Sequence, residues 1–232
     1  MMKKIILILL LCISYNTTAM TFSETEISCP IGGEKFTFKE PRSGTSFGQT
    51  LDFMPIGAIV SPWPLAKCPS NGLIIYPELS QENYAQLKSF VLSKNYQTLQ
   101  KKESNYYLLY TLFKKLNVDS ELLINTLLAA TWEVEADQYK RYAKELKILL
   151  NQPQDSNNFN FIYPLISIEL SRRMGDFKTA ENELQRYTRV HLDKVSSAQI
   201  DFVQQYLEQQ NNFIKLQNKD AQQFNIPNQE NE

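Results

Sequence analysis

Histidine is almost absent from this chain, with one residue, His191, among 232. Catalysis by a Ser–His or Cys–His pair would have to run through it. It sits near the end of a predicted helix, where a histidine serves the helix terminus or the solvent. Cysteine is scarce too, with three residues. Phosphate-cradling glycine loops, nucleophile elbows and EF-hand calcium loops are all missing. No excess of one charge exists either: 24 basic residues face 25 acidic ones, for a net charge of −1. That balance argues against nucleic acid or an anionic membrane surface as the partner. Apolar runs stay short, and residues 5–13 fall well below the roughly 20 needed to span a bilayer, so no stable membrane insertion is expected. On these grounds no catalytic residue, metal-ligand set or cofactor is assigned.

Residues 1–19 have the form of a cleavable export signal. Lys3 and Lys4 precede an apolar stretch, and Thr17-Thr18-Ala19 offers a small-residue cleavage site. The expected location is the bacterial periplasm or the exterior, where thiols oxidise.

Glycine and proline divide the rest of the chain. Six of the seven glycines fall between Gly32 and Gly72, and seven of the ten prolines between Pro30 and Pro77. Such punctuation predicts turns and short strands over 20–79, with strand candidates at 35–39 and 73–76. Residues 43–48 and 61–64 read as loops. From 80 to 216 the apolar spacing becomes helical, with segments at 80–101, 105–116, 120–134, 138–150, 159–173, 176–190 and 196–216. Residues 151–158 form a polar loop. The stretch 217–232, rich in Gln and Asn, is expected to lack anchors and stay disordered. The predicted fold is α+β and mostly α: a small β ribbon packed on an antiparallel helical array.

Within the first region the pattern Cys-Pro-x-x-Gly occurs twice, as Cys29-Pro30-Ile31-Gly32-Gly33 and Cys68-Pro69-Ser70-Asn71-Gly72. This is the turn on which zinc knuckles are built, but each copy carries a single thiol. A zinc site wants four N or S ligands, usually two per knuckle. A Cys29–Cys68 disulfide is the preferred arrangement, with a zinc site or two reduced, buried thiols as alternatives. Farther on, Leu170–Leu184 brings Arg173, Gly175, Asp176, Phe177 and Ala180 into the turn pattern of a tetratricopeptide helix pair, equally readable as an ordinary helix hairpin. Glu133, Glu135 and Asp137 form an acidic cluster, read as ordinary helical ion pairing with the lysines and arginine just beyond them.

Residues 29–76 resemble the N-terminal part of a family of uncharacterised bacterial proteins. In that family paired C-P-x-C-G knuckles precede tetratricopeptide-like helices. Cys29, Pro30 and Gly33, Cys68, Pro69 and Gly72, and the Arg173–Gly175–Asp176–Ala180 turn carry the resemblance. It implies zinc at the knuckles, yet Gly32 and Asn71 stand where the second thiols belong. It implies no activity.

The candidate binding residues are Arg42, Phe47 and Trp63, in flexible or proline-stiffened loops, unless the aromatics plug the core. The leading expectation is a module that holds a protein or peptide of the cell envelope. The tyrosines Tyr106, Tyr107, Tyr110, Tyr139 and Tyr142 are expected to supply contact area. The alternatives are an envelope metal-binding protein using Cys29 and Cys68, and an envelope-polymer hydrolase with carboxylate acid and base.

Overall fold

The computed structural model describes residues 20–152 and 160–225. Residues 1–19, expected as an export signal, most of the expected polar loop and the last residues of the tail lie outside them. The chain is α+β and mostly α. β1 (Thr21–Ser28) and β2 (Lys35–Ser43) form an antiparallel two-stranded ribbon. β3 (Thr45–Thr50) pairs with β4 (Pro55–Ala58), and β5 (Ala66–Lys67) pairs with β6 (Ile74–Ile75). Eight α-helices come next among the described residues: α1 (Gln81–Val91), α2 (Lys94–Leu99), α3 (Asn105–Leu116), α4 (Ser120–Trp132), α5 (Ala136–Leu150), α6 (Ile162–Arg173), α7 (Phe177–Val190) and α8 (Ile200–Lys215). β7 (Gln223–Phe224) then returns to pair antiparallel with the free side of β3.

Five of the eight helix starts obey the capping rule. Ser80, Ser93, Ser104, Asp119 and Asp176 each accept the backbone N–H three residues on, which satisfies a donor the helix itself leaves open. Ser93 explains why the segment expected at 80–101 is two helices: it caps α2 two residues after α1 ends. The α6–α7 turn is a Schellman closure. Asp176 N–H reaches Ser171 O and Gly175 N–H reaches Arg172 O, while Gly175 takes φ 82°, open to glycine at no steric cost.

Two sequence expectations need correction. Of residues 43–48, expected as loop, 45–48 belong to β3. Their glycine and serine content mimics a turn, but pairing on both sides overrides it. Residues 217–225 are not without anchors. Phe224 is buried against Leu51, Val203 and Tyr206, and β7 completes a three-stranded sheet.

Three apolar clusters make the core. The first joins α3–α6. The second joins the Cys29 and Cys68 turns to α1, α2 and α3. The third joins the β3–β4 turn and β7 to α6, α7 and α8. Beside the third lies a buried polar knot. Glu169 and Arg172, both fully buried, form a two-pronged pair, with Nε to Oε2 at 2.9 Å and Nη2 to Oε1 at 2.7 Å. Gln210 Nε2 donates to the same carboxylate. Arg172 also donates to the carbonyls of Asn218 and Asp220, and so holds the segment leading to β7. Its neighbour Arg173 pairs with Asp52 in the β3–β4 turn at 2.5 Å.

Candidate functional site

Two turns of the same construction meet at Cys29 and Cys68. In the first, Cys29 N–H donates to Glu34 O (2.8 Å) and Gly33 N–H to Cys29 O (3.1 Å). In the second, Cys68 N–H donates to Leu73 O (2.9 Å) and Gly72 N–H to Cys68 O (2.9 Å). Each turn caps a strand pair, β1–β2 and β5–β6. Gly33 and Gly72 take φ 73° and 70°, left-handed values that a side chain would strain. The sulfurs lie at disulfide distance, with the Cα atoms 5.7 Å apart, inside the range such a bond requires.

The remaining two knuckle positions also face each other. A Cβ on Gly32 would stand 3.7 Å from Asn71 Nδ2. Asn71 is itself a second fastening between the turns: its Nδ2 donates to Ile31 O (2.5 Å) and its Oδ1 accepts from Leu73 N–H (2.9 Å). Positions 29, 32, 68 and 71 thus converge as four metal ligands would, but they offer two mutually bonded sulfurs, an amide and no side chain. In this oxidised form the donor set does not fit zinc.

Sequence reasoning missed Glu34. Its carboxylate lies within 4.8 Å of both sulfurs, and its Oε1 accepts from the Ser70 N–H (2.9 Å) and hydroxyl (2.7 Å). The available signal was an asymmetry: an acid stands after the glycine of the first turn where leucine stands after that of the second.

The three candidate binding residues lie on the strand-rich half and remain exposed. Phe47 sits in a bulge of β3 and is 68% exposed, and Trp63, after a cis Ser61–Pro62 bond, is 39% exposed. The aromatic that plugs the core is Phe53, stacked on Tyr206 at 5.7 Å. Arg42 lies flat on the ribbon, donating to Ser23 Oγ (2.6 Å) and pairing with Glu40 (2.9 Å). Trp63 is steadied through its carbonyl, which accepts from the Tyr106 hydroxyl at 2.8 Å. Burial and the nearby Glu133 push that hydroxyl up to about 12.

The helical tyrosines do not form a contact surface. Tyr107, Tyr110, Tyr139 and Tyr142 are buried. Hydroxyls of Tyr107 and Tyr110 grip Glu145 of α5 (2.8 Å each), Lys114 adds a 3.2 Å ion pair, and Tyr142 donates to Glu103. Burial pushes the Glu145 carboxyl up, but the three donors outweigh it and hold the group below the usual glutamate value. As pH falls, the unfolded chain takes up this proton first. Its stabilisation is therefore complete above the unfolded pKa and is lost as pH drops through the lower folded one. Glu145→Gln should flatten the acid limb of the urea midpoint plotted against pH. An unaltered limb would show that the donors do not favour the charged form.

The acidic cluster also reads differently in three dimensions. Glu133 caps the C-terminus of α4 and accepts the Tyr106 N–H (2.8 Å) at the start of α3, while Asp137 begins α5. Arg141, expected to pair within this cluster, pairs with Glu103. His191 closes the end of α7 with its ring edge-on to Tyr187. Four clefts of about 250 to 520 Å³ open along the helices, and each is lined by one carboxylate, from Glu183, Glu121 or Glu145. No carboxylate pair spans any of these four among the described residues, so they lend the hydrolase alternative no support.

Comparison with known proteins finds no matching family, curated protein or solved structure.

Proposed function

We propose that the protein is an exported module that binds a protein or peptide of the cell envelope through its strand-rich half. One observation carries this reading: among the described residues the aromatics left in solvent, Phe22 (43% exposed), Phe47 and Trp63, all belong to that half. The tyrosines of the helices are turned inward or engaged. Exposed aromatics on a braced scaffold are what interface anchors look like. Trp63 is braced by the Tyr106 hydroxyl on its carbonyl and Phe22 by Lys39 over its ring, which limits the ordering cost of binding. A photoreactive amino acid at position 47, in cells expressing the full chain, should give one reproducible cross-linked band, lost when it is placed at exposed Lys140 of α5. Equal cross-linking from both positions, or none from 47, would remove the reading. The same cells supply the mature mass, which should correspond to cleavage after Ala19.

The metal-binding alternative is favoured by Glu34. Reduction of the disulfide by a dithiol releases two thiols, which with this carboxylate make a three-ligand set for a zinc-class cation. Reduced protein should then take up one cadmium ion per chain with a thiolate charge-transfer band, and Glu34→Gln should weaken uptake. Equal uptake by the variant, or none by either, would dismiss it.

A further inference from the structure

The ribbon has two edges, and they are not alike. Among the described residues β1 pairs with β2 alone, and β2 with β1 alone, so each presents one unpaired backbone edge. Native proteins blunt such edges with lysine, proline or a bulge. β2 has these devices in Lys35, Lys39 and Pro41. β1, Thr-Phe-Ser-Glu-Thr-Glu-Ile-Ser, has no lysine, proline or glycine, and its one irregularity lies at its beginning, between Thr21 and Phe22.

The register sorts the side chains. Glu24 stands opposite Lys39, Glu26 opposite Thr37 and Ser28 opposite Lys35, giving one exposed, charged face. Ile27 opposite Phe36, with Phe38 beside them, gives a half-buried apolar stretch on the other face, bounded by Arg42, which donates to Ser23 and Thr25. Of that second face, Ile27 and Phe38 join none of the three core clusters of the described residues. Along the charged face, acid lines the β1 side and base the β2 side. Glu26 meets Lys35 in an exposed pair (2.8 Å), and Lys39 lies over the Phe22 ring (4.7 Å).

From this pattern we infer that β1 is the docking edge for an extended segment of a partner protein in which basic residues alternate with apolar ones. The added strand would set its cations beside Glu24 and Glu26, repeating the opposite-sign rows of the ribbon. Its apolar residues would extend the Ile27–Phe38 face. Main-chain hydrogen bonds would supply affinity, and the alternating side chains the selection. A third strand also supplies what a two-stranded ribbon lacks for stability. A second copy fits less well. β1 against β1 sets glutamates against glutamates, and β1 against the β2 of another copy meets the Pro41 and lysines that blunt that edge.

This inference rests on the interaction-module reading and names its surface. The test uses the full mature chain and a blocked octapeptide of alternating lysine and valine, with an alternating glutamate–valine peptide as control. The lysine peptide should bind saturably and slow amide exchange within 21–28, while the control should not. Glu24→Gln with Glu26→Gln should raise its Kd about fivefold, with the circular dichroism spectrum unchanged because both residues are exposed and the neutral amides set no like charges across the ribbon. Equal binding of the two peptides, protection mapped to the helices, or protection of β1 that grows with protein concentration alone would each overturn the proposal. If those results appear while position 47 still cross-links a partner, the edge is wrong and the broader reading stands. Loss of both removes the reading itself.

Discussion

Arg172→Met is expected to destabilise the protein by about 3–5 kcal/mol, the usual consequence of removing one partner of a fully buried ion pair. The guanidinium is wholly enclosed. It faces Glu169 through two bonds, covers the Phe213 ring at 5.5 Å and donates to two main-chain carbonyls. Methionine fills part of the volume and supplies no donor. The Glu169 carboxylate would then retain Gln210 as its remaining partner, and the Asn218 and Asp220 carbonyls would lose theirs. Already in the intact protein, burial outweighs Arg172 and Gln210 and raises the Glu169 pKa. In the variant that rise should grow, so the deficit should shrink on acidification as the folded chain takes up the proton first. Urea midpoints at neutral and acidic pH measure both effects. The double variant Glu169→Leu/Arg172→Met separates charge from packing and should recover much of the loss, leaving the cost of the two carbonyls. A single variant that unfolds at the wild-type midpoint would mean that the pair is not enclosed as described.

Cys29→Ala with Cys68→Ala is expected to cost about 4 kcal/mol on chain-entropy grounds, from opening a loop of 39 residues. The figure applies if the turns stay docked when the bond is gone. Several contacts hold them: Asn71 between the turns, Gln97 Nε2 to Asn71 O (2.8 Å), and the Tyr96 hydroxyl to Gly72 O (2.9 Å). Guanidinium unfolding of the oxidised protein and the double variant measures the difference. A loss under about 1 kcal/mol would show that the bond does not restrict the unfolded chain as its loop length implies.

Different parts of this structure were legible to different degrees, for physical reasons. The cysteine turns were readable because a left-handed residue at the fifth place demands glycine, and both copies provide it at Gly33 and Gly72. Most helix starts were readable because Ser, Asp and apolar spacing are local signals. β1 was not, since Ile27 and Phe22 are its only large apolar residues and fall on opposite faces. β3 was not, because the pairing that makes it a central strand comes from Gln223 and Phe224 at the far end of the chain. Tyr107 and Tyr110 stand three apart in one helical segment and Tyr142 in another, and periodicity does not say whether such residues face a partner or the neighbouring helix. Arg172 resembled a solvated cation in the last turn of a helix, and its enclosure depends on Gln210 and a segment over forty residues away. Glu34 needed both turns in register before its proximity to the sulfurs meant anything.

Residues 172 and 173 divide a task between them. One fastens the closing segment of the chain, the other the bend that Asp52 makes early in it, and both ends meet in the sheet β4–β3–β7. During synthesis β3 emerges long before its second neighbour exists, so that side of the sheet must wait, open, for nearly the entire polypeptide. Trimming the chain before residue 222 should leave an early strand permanently unmatched, and a fusion placed there would obstruct assembly of the opposite end of the molecule.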